Sequence, residues 1–370
     1  MRLETVELRR IKLSLVAPFE TSFGVQTERD VLLLKAITDA GMGWGECVAG
    51  EEPLYSSEYV DAACDVLLKH LLPRLLDREL AAADVAVVLR PVHGHNMAKA
   101  AIEMALLDVT GKYLGVPVAQ LLGGYYRTRV PLSVSIANPN FEEDFALAKQ
   151  LSASGVNIFK VKTGFSTHRD DLRRLERLRA DLPASVDLRV DYNQGLDPWD
   201  AIRHLKDVET FRPTFIEQPV KREQRAAMAA ITKAIDTPIM ADESVFTPAE
   251  AIDMVRRELA DLVSIKIMKS GGIARAREVA SIAEAAGITA YGGTMFEGGL
   301  AIAAGLHMVA ATPNISLGAE FYTSTWVMGV EILRTPIVIE KGATLVPTNA
   351  GLGVEVDEAR VREISVAHFE

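Results

Sequence analysis

Five charged residues recur through the second half of the chain, each within or just after a short apolar run. Lys162 ends IFKVK, Asp191 stands in LRVDYN, Glu217 in TFIEQP, Asp242 in PIMADES and Lys266 in LVSIKIMK. The steps between them are 29, 26, 25 and 24 residues. A charge that follows a β-branched run is costly if it is only core. Brought to one place, the five make chemical sense. Three carboxylates form a hard, all-oxygen site for a divalent cation. Two flanking ammonium groups form an acid/base pair.

The elements around them supply such a place. From Val130 onward, short β-rich runs alternate with amphipathic segments such as FEEDFALAKQLSASG, HRDDLRRLERLRADL and PAEAIDMVRRELA. This is the rhythm of a parallel sheet. Seven strands are expected in PLSVSI, NIFKVK, DLRVDYN, TFIEQP, PIMADES, LVSIKIMK and ITAYGGT, with an eighth in NISLGAE. Steps of this length match one strand–helix unit, since about 250 residues make the eight units of a closed barrel. Residues 1–50 read differently. VELRRIKLSL, DVLLLKAITD and GWGECV predict a three-stranded meander, and 55–120 predict helices over SSEYVDAACDVLLKHLLPRLL and MAKAAIEMALLDVTGKYLG. The fold class is therefore α/β, a modified (β/α)7β TIM-type barrel with an α+β capping domain. The expected divisions are a cap over 1–128, a barrel over 129–335 and a tail over 336–370 that returns to the cap.

Bulk properties exclude several classes. The net charge of −10 is spread along the chain, with no basic stripe for nucleic acid. No apolar run reaches the length of a membrane span, and the start lacks the features of a signal peptide. Cys47 and Cys64 are the only cysteines, so a reducing, cytoplasmic setting is expected.

In order, K-x-K, D-x-N-Q, I-E-Q-P, A-D-E-S and K-x-x-K-x-G-G resemble the muconate-lactonizing subgroup of the enolase superfamily, over essentially the whole chain. Sites of that superfamily pair a lysine or histidine base with bound Mg²⁺. The resemblance implies Asp191, Glu217 and Asp242 as ligands of Mg²⁺ or Mn²⁺, and Lys162 and Lys266 as the acid/base groups. It also implies Lys160 beside the substrate carboxylate, and Asn193 and Glu243 as residues that orient ligands and lysines. A small-molecule carboxylate is the expected partner, in a homo-oligomer of two or eight copies. The chemistry is coherent on its own terms. Removing a proton α to a carboxylate gives an enolate, which a divalent cation stabilises. A lysine near a cation and a second ammonium is expected to have its pKa lowered toward neutrality.

Those five residues do not select a reaction. AYGGTMFEGG with SLGAEF is similar to muconate cycloisomerases, and marks Gly293, Thr294, Met295 and Glu320 as substrate-side residues. LVAPFETSFGVQ with GWGECVAGEEPLYSSEY is similar to N-acylamino acid racemases and o-succinylbenzoate synthases, and marks Phe19, Phe23 and Tyr55. Because the barrel carries the chemistry, the leading expectation is cis,cis-muconate cycloisomerisation in aromatic catabolism. The alternatives are N-acylamino acid racemisation, o-succinylbenzoate synthesis and dipeptide epimerisation. A non-catalytic barrel would lack a ligand or a lysine, and none is missing. A sugar-acid dehydratase would carry a histidine after the seventh strand, where AYGGTMFEGG has none. Glu46 could meet substrate or sit exposed in a turn. His93 and His95 lack a third soft ligand and read as loop residues. Met268 and Phe296 could shape the pocket or belong to the core. Gly292, Gly298 and Gly299 fit close backbone approach or turns.

Overall fold

The alternating amino-terminal residues form an antiparallel meander, β1 (Leu3–Thr21), β2 (Gly24–Thr38) and β3 (Gly41–Cys47). The computed structural model describes residues 1–369. A short β4 (Arg129–Pro131) leads into eight parallel strands. These are β5 (Ser133–Ile136), β6 (Ile158–Lys162), β7 (Asp187–Asp191), β8 (Ile216–Glu217), β9 (Ile239–Ala241), β10 (Leu262–Ile265), β11 (Thr289–Gly292) and β12 (Ile315–Ala319). They pair in sequence order, and a parallel bridge from Leu132 to Ala319 draws the two edges together. Seven of the strands are followed by helices. The eighth runs instead into a wide helical turn, Thr323–Val327. This is the expected (β/α)7β arrangement.

Helix starts are written in the sequence. Asn140 and Thr167 accept from main-chain N–H groups two and three residues on, and Thr247 with Glu250 makes a reciprocal capping box. Apolar faces of these helices cover the barrel, whose strands bury Phe159, Val161, Val190, Ile216, Ile239 and Val263 completely or nearly so.

Two expectations need correction. The helix expected over 56–76 is regular only over Val60–Val66, then widens over Leu67–Leu71 and tightens over Leu72–Arg74. Pro73 has no N–H to continue the ladder, which accounts for the change. The tail returns in two stages. β13 (Ile339–Glu340) and β14 (Ala343–Leu345) pair beside the barrel with β4, and only β15 (Ser365–Phe369) joins β1 in the cap sheet.

Three buried glutamates of the amino-terminal part tie it together and to the barrel. Glu46, on β3, accepts from Gly298 N (2.6 Å) and Ala301 N (3.1 Å) at the start of the barrel helix Gly299–Ala310. Glu103, on the cap helix Asn96–Leu114, accepts from Ile273 N and Ala274 N at the start of Ile273–Ala285. Glu58 accepts from Asn96 N and Met97 N at 2.8 and 2.9 Å, and Asn96 in turn donates to Lys269 O at 2.7 Å. Each satisfies orphan N–H groups at a helix start, a role worth about 1 kcal/mol per cap. Gly272 is required there. Its φ is +130°, and a Cβ would lie 2.1 Å from a Glu103 carboxylate oxygen.

Candidate active site

All five charged residues lie at the carboxyl ends of barrel strands. Lys162, Asp191 and Glu217 are the last residues of β6, β7 and β8, and Asp242 and Lys266 directly follow β9 and β10. Register places Lys162 beside Asp191, and Asp191 beside Glu217. Lys162 and Lys266 stand four strands apart in an eight-strand barrel, so they face each other across its mouth. Side chains two apart on a strand share a face, which puts Lys160 below Lys162 on the inward side.

Every one of these charges is buried and paired. Lys160 Nζ reaches Glu217 (2.7 Å), Glu320 (2.8 Å) and Asp191 (3.3 Å). Lys162 Nζ donates to Asp191 Oδ2 (2.6 Å) and Asn193 Oδ1 (2.9 Å), and Asn193 Nδ2 donates to Glu243 Oε1 (3.2 Å). Lys266 Nζ donates to Asp242 Oδ2 (2.6 Å), and Lys269 Nζ to Asp242 Oδ1 (2.7 Å). Tyr55 Oη adds a bond to Asp242 Oδ1 at 3.1 Å. Lys269 is a residue that the sequence motifs left without a role. The strand ends at Ile265 and a helical turn, Ile267–Ser270, follows, so the second lysine of KIMK returns to the same carboxylate.

Electrostatics follow from burial against pairing. Burial raises Asp191 and Asp242, but Lys162 and Lys160 on one and Lys266 and Lys269 on the other outweigh it, and both carboxyls titrate below the ordinary range. Glu217 goes the other way. Burial and repulsion from Asp191 and Asp242 push it up to about 7, against the pull of Lys160. Burial, Asp242 and Asp191 likewise push Glu243 up to about 8. Burial alone would lower Lys160 and Lys266, but their carboxylate partners outweigh it and hold both ammonium groups above the usual lysine value.

Whether these residues suit a divalent cation can be judged from the same contacts. Among the described residues no three histidine, cysteine or carboxylate side chains are gathered as a ready ligand shell. Asp191 and Asp242 are turned to lysines instead. The donor set nevertheless fits. The carboxylates are on neighbouring strands and close enough to repel, and buried Glu217 Oε1 and Glu243 Oε2 have no hydrogen-bond partner. An unpartnered buried carboxylate oxygen is expensive, and a hard cation relieves it. Asp191, Glu217 and Asp242 are therefore the residues that could hold Mg²⁺ or Mn²⁺.

A cavity of about 370 Å³ opens over the lysines. Phe19, Phe23, Tyr55, Thr294, Met295, Glu320 and Asn193 line it, with Lys160, Lys162 and Lys266 among them. Phe19 packs edge-on against Phe296 (4.2 Å between centroids), and Tyr55 stacks on Phe246 (5.6 Å). Gly293 contributes by its smallness, since a Cβ there would meet Lys266 Cε at 2.6 Å. Glu320 does not project freely but holds Lys160 and accepts from Ser135 Oγ at 2.6 Å. Glu243 is behind Asn193 rather than in the cavity. Ser135, Arg29 and Gln26 also line the cavity; Gln26 ends the stretch LVAPFETSFGVQ, while Ser135 and Arg29 lie in no recognised motif.

Of the residues with open alternatives, Glu46 meets neither substrate nor solvent, since it is fully buried as a helix cap. Met268 is fully buried. His93 is exposed, and His95 occupies the left-handed position before the helix Asn96–Leu114.

Comparison with known proteins agrees with this architecture. Residues 5–123 match the mandelate racemase / muconate lactonizing enzyme N-terminal domain, and residues 143–360 match the enolase C-terminal domain-like family. The N-succinylamino acid racemase of Amycolatopsis sp is 37% identical, covering 99% of this chain and 98% of that protein. The crystal structure of a muconate cycloisomerase from Azorhizobium caulinodans is 40% identical with a TM-score of 0.85, covering 99% and 98% of the two chains. That of the muconate lactonizing enzyme from Pseudomonas fluorescens, complexed with muconolactone, is 30% identical with a TM-score of 0.94, covering 98% and 99%. With both domains matched by the family models and relatives matched over nearly the whole chain, this chain belongs to the mandelate racemase / muconate lactonizing enzyme family of the enolase superfamily, and it is an isomerase.

Proposed function

We propose that the protein moves a proton at the carbon α to a carboxylate, and that its reaction is racemisation or epimerisation of an N-acylated amino acid. One observation carries this reading over the other reactions that the paired lysines serve: Phe19, Phe23 and Tyr55 of the cap line the cavity above them. Lys162 and Lys266 are in opposite walls of that cavity, each 6–7% exposed, so a planar enolate between them meets a lysine on both faces. A divalent cation on Asp191, Glu217 and Asp242 would take up their charge, leaving a lysine free to act as base, and would draw electron density from the substrate carboxylate. One lysine then takes the α-proton and the other returns a proton to the opposite face. Lys160, pinned between Glu217 and Glu320, keeps its proton and offers positive charge to the developing enolate. Asn193 holds Lys162 in line. The apolar cavity walls of Phe19, Phe23, Tyr55 and Met295 suit an acyl group and exclude water. Cys47 and Cys64 are unpaired, which favours a cytoplasmic setting.

Muconate cycloisomerisation, the leading expectation from the barrel motifs, is the second reading. The observation that favours it is the cavity position of Thr294 and Met295, with Glu320 fastened to Lys160 and Ser135. Lys162 would then protonate the enolate, and Lys266 would act through its charge alone. The test is proton NMR in D₂O with Mg²⁺. Exchange of the α-proton of N-acetyl or N-succinyl amino acids, with loss of optical rotation, supports the first reading. Loss of cis,cis-muconate absorbance with no such exchange overturns it in favour of the second.

A further inference from the structure

Arg29, on β2, presents a buried guanidinium to the cavity wall with no ion-pair partner among the described residues. Its Nη2 donates to Val48 O (2.9 Å) and Met295 O (3.1 Å). Its Nη1 has one long bond, 3.4 Å to Gln26 Oε1, and its Nε has none. Guanidinium carries five N–H donors, so two are unused. The nearby carboxylates are committed elsewhere. Asp30 is paired with Arg10 at 2.6 Å, Glu46 caps the helix Gly299–Ala310, and Glu297 accepts from Thr294 Oγ1 and Met295 N. A buried, unpaired cation is among the costlier features a protein can keep. Burial accordingly lowers its proton affinity.

We propose that Arg29 is a specificity residue that receives a second carboxylate of the substrate, distal to the one that is deprotonated at its α-carbon, so that the site selects dicarboxylates. This rests on the reading of the cavity as an acyl pocket. Met295 sets the spacing, because its O accepts from Arg29 while its Sδ lies 4.0 Å from Lys266 Nζ. A substrate of this class spans from the lysines, past one methionine, to Arg29. Glu28, Glu51 and Glu52 also line the cavity, but they are exposed. Water and salt screen exposed charges, whereas the guanidinium keeps its field. Gln26 Oε1 is the neutral partner that a carboxylate displaces.

The test is calorimetric binding to the Mg²⁺-loaded protein of N-succinyl-phenylalanine and its terminal amide, alongside α-proton exchange of both. The acid should bind about tenfold or more tightly than the amide, as for a charge-assisted bond to a buried cation. Arg29→Met should abolish that preference by weakening the acid while leaving the amide within about threefold, and Arg29→Lys should restore part of it. Equal affinity of the wild type for acid and amide overturns the proposal without any variant. So does equal loss of both ligands in Arg29→Met, which would make Arg29 a clip between β2 and the 294–297 loop. Exchange reports the other reading separately. Arg29-dependent selectivity without exchange upholds the binding role and sinks the racemase assignment, while exchange without selectivity does the reverse.

Discussion

The Tyr55 hydroxyl donates to Asp242 Oδ1 at 3.1 Å, so a loop of the cap touches a carboxylate of the barrel. The same ring lies 4.8 Å from Lys266 Nζ and stacks on Phe246. The position of the cap loop and the orientation of a candidate ligand are thus fixed by one contact. In Tyr55→Phe the stacking survives and one hydrogen bond is lost, worth about 1 kcal/mol. The expected result is a five- to tenfold fall in kcat/KM with an unchanged melting temperature. A lowered Tm with kcat/KM unchanged would show that the contact serves folding instead.

The opposed lysines give a stereochemical prediction. Lys162→Ala should stop α-proton exchange from one enantiomer of an N-acyl amino acid and retain measurable exchange from the other. Lys266→Ala should show the reverse pattern, and both should fail to racemise. The measurement is deuterium incorporation into each pure enantiomer. Exchange of both enantiomers lost together in one variant and kept together in the other would show that a single lysine carries the proton.

Glu217 is crowded by its neighbouring carboxylates, with a carboxyl pushed up to about 7 and an orphan oxygen. Glu217→Gln removes that repulsion, while Lys160 keeps Glu320 and Asp191. We expect the melting temperature without metal to hold or rise, and Mn²⁺ affinity by calorimetry to fall at least tenfold. A site that binds better at the expense of stability is a common compromise in enzymes. Undiminished Mn²⁺ affinity would remove Glu217 from the ligand set.

Glu46 sets a pH dependence of stability. Burial outweighs its two N–H bonds and raises it from 4.5 to about 7. Between those values the folded protein holds a proton that the unfolded chain has released. Stability from this group is therefore fully present below about 4.5 and is lost as pH rises to about 7, on the order of 3 kcal/mol. Urea unfolding at intervals from pH 5 to 7.5 should show a shallower decline in Glu46→Gln than in the wild type. Parallel profiles would mean that Glu46 stays ionised.

The barrel was legible in the sequence because its signal is repeated. One strand-end charge means little, but five at near-constant spacing point to the carboxyl ends of successive strands, where the structure places them. Strand lengths were less legible, since only Ile216 and Glu217 of TFIEQP are paired. The cap contacts were hidden for another reason. Glu46 and Glu103 act on N–H groups more than 160 residues away, and local pattern carries no trace of such a partner. Arg29 directly precedes the run DVLLLKAITD and belongs to no recognised motif, and its lack of a carboxylate partner is visible only in three dimensions. Lys269 could have been found, because three residues after Lys266 is one helical turn.

The glutamates at the helix starts bear on how such enzymes diversify. A cap that merely covered the barrel could be exchanged between relatives as a module, bringing new substrate loops to an old chemistry. Here Glu46 and Glu103 are written into the cap, while the glycines that receive them, Gly298 and Gly272, are written into the barrel segments bearing the mouth loop and Lys266. Specificity and chemistry are therefore inherited through matched pairs of positions. A chimera that breaks a pair misplaces the barrel segment itself, even where every recognised active-site residue is retained.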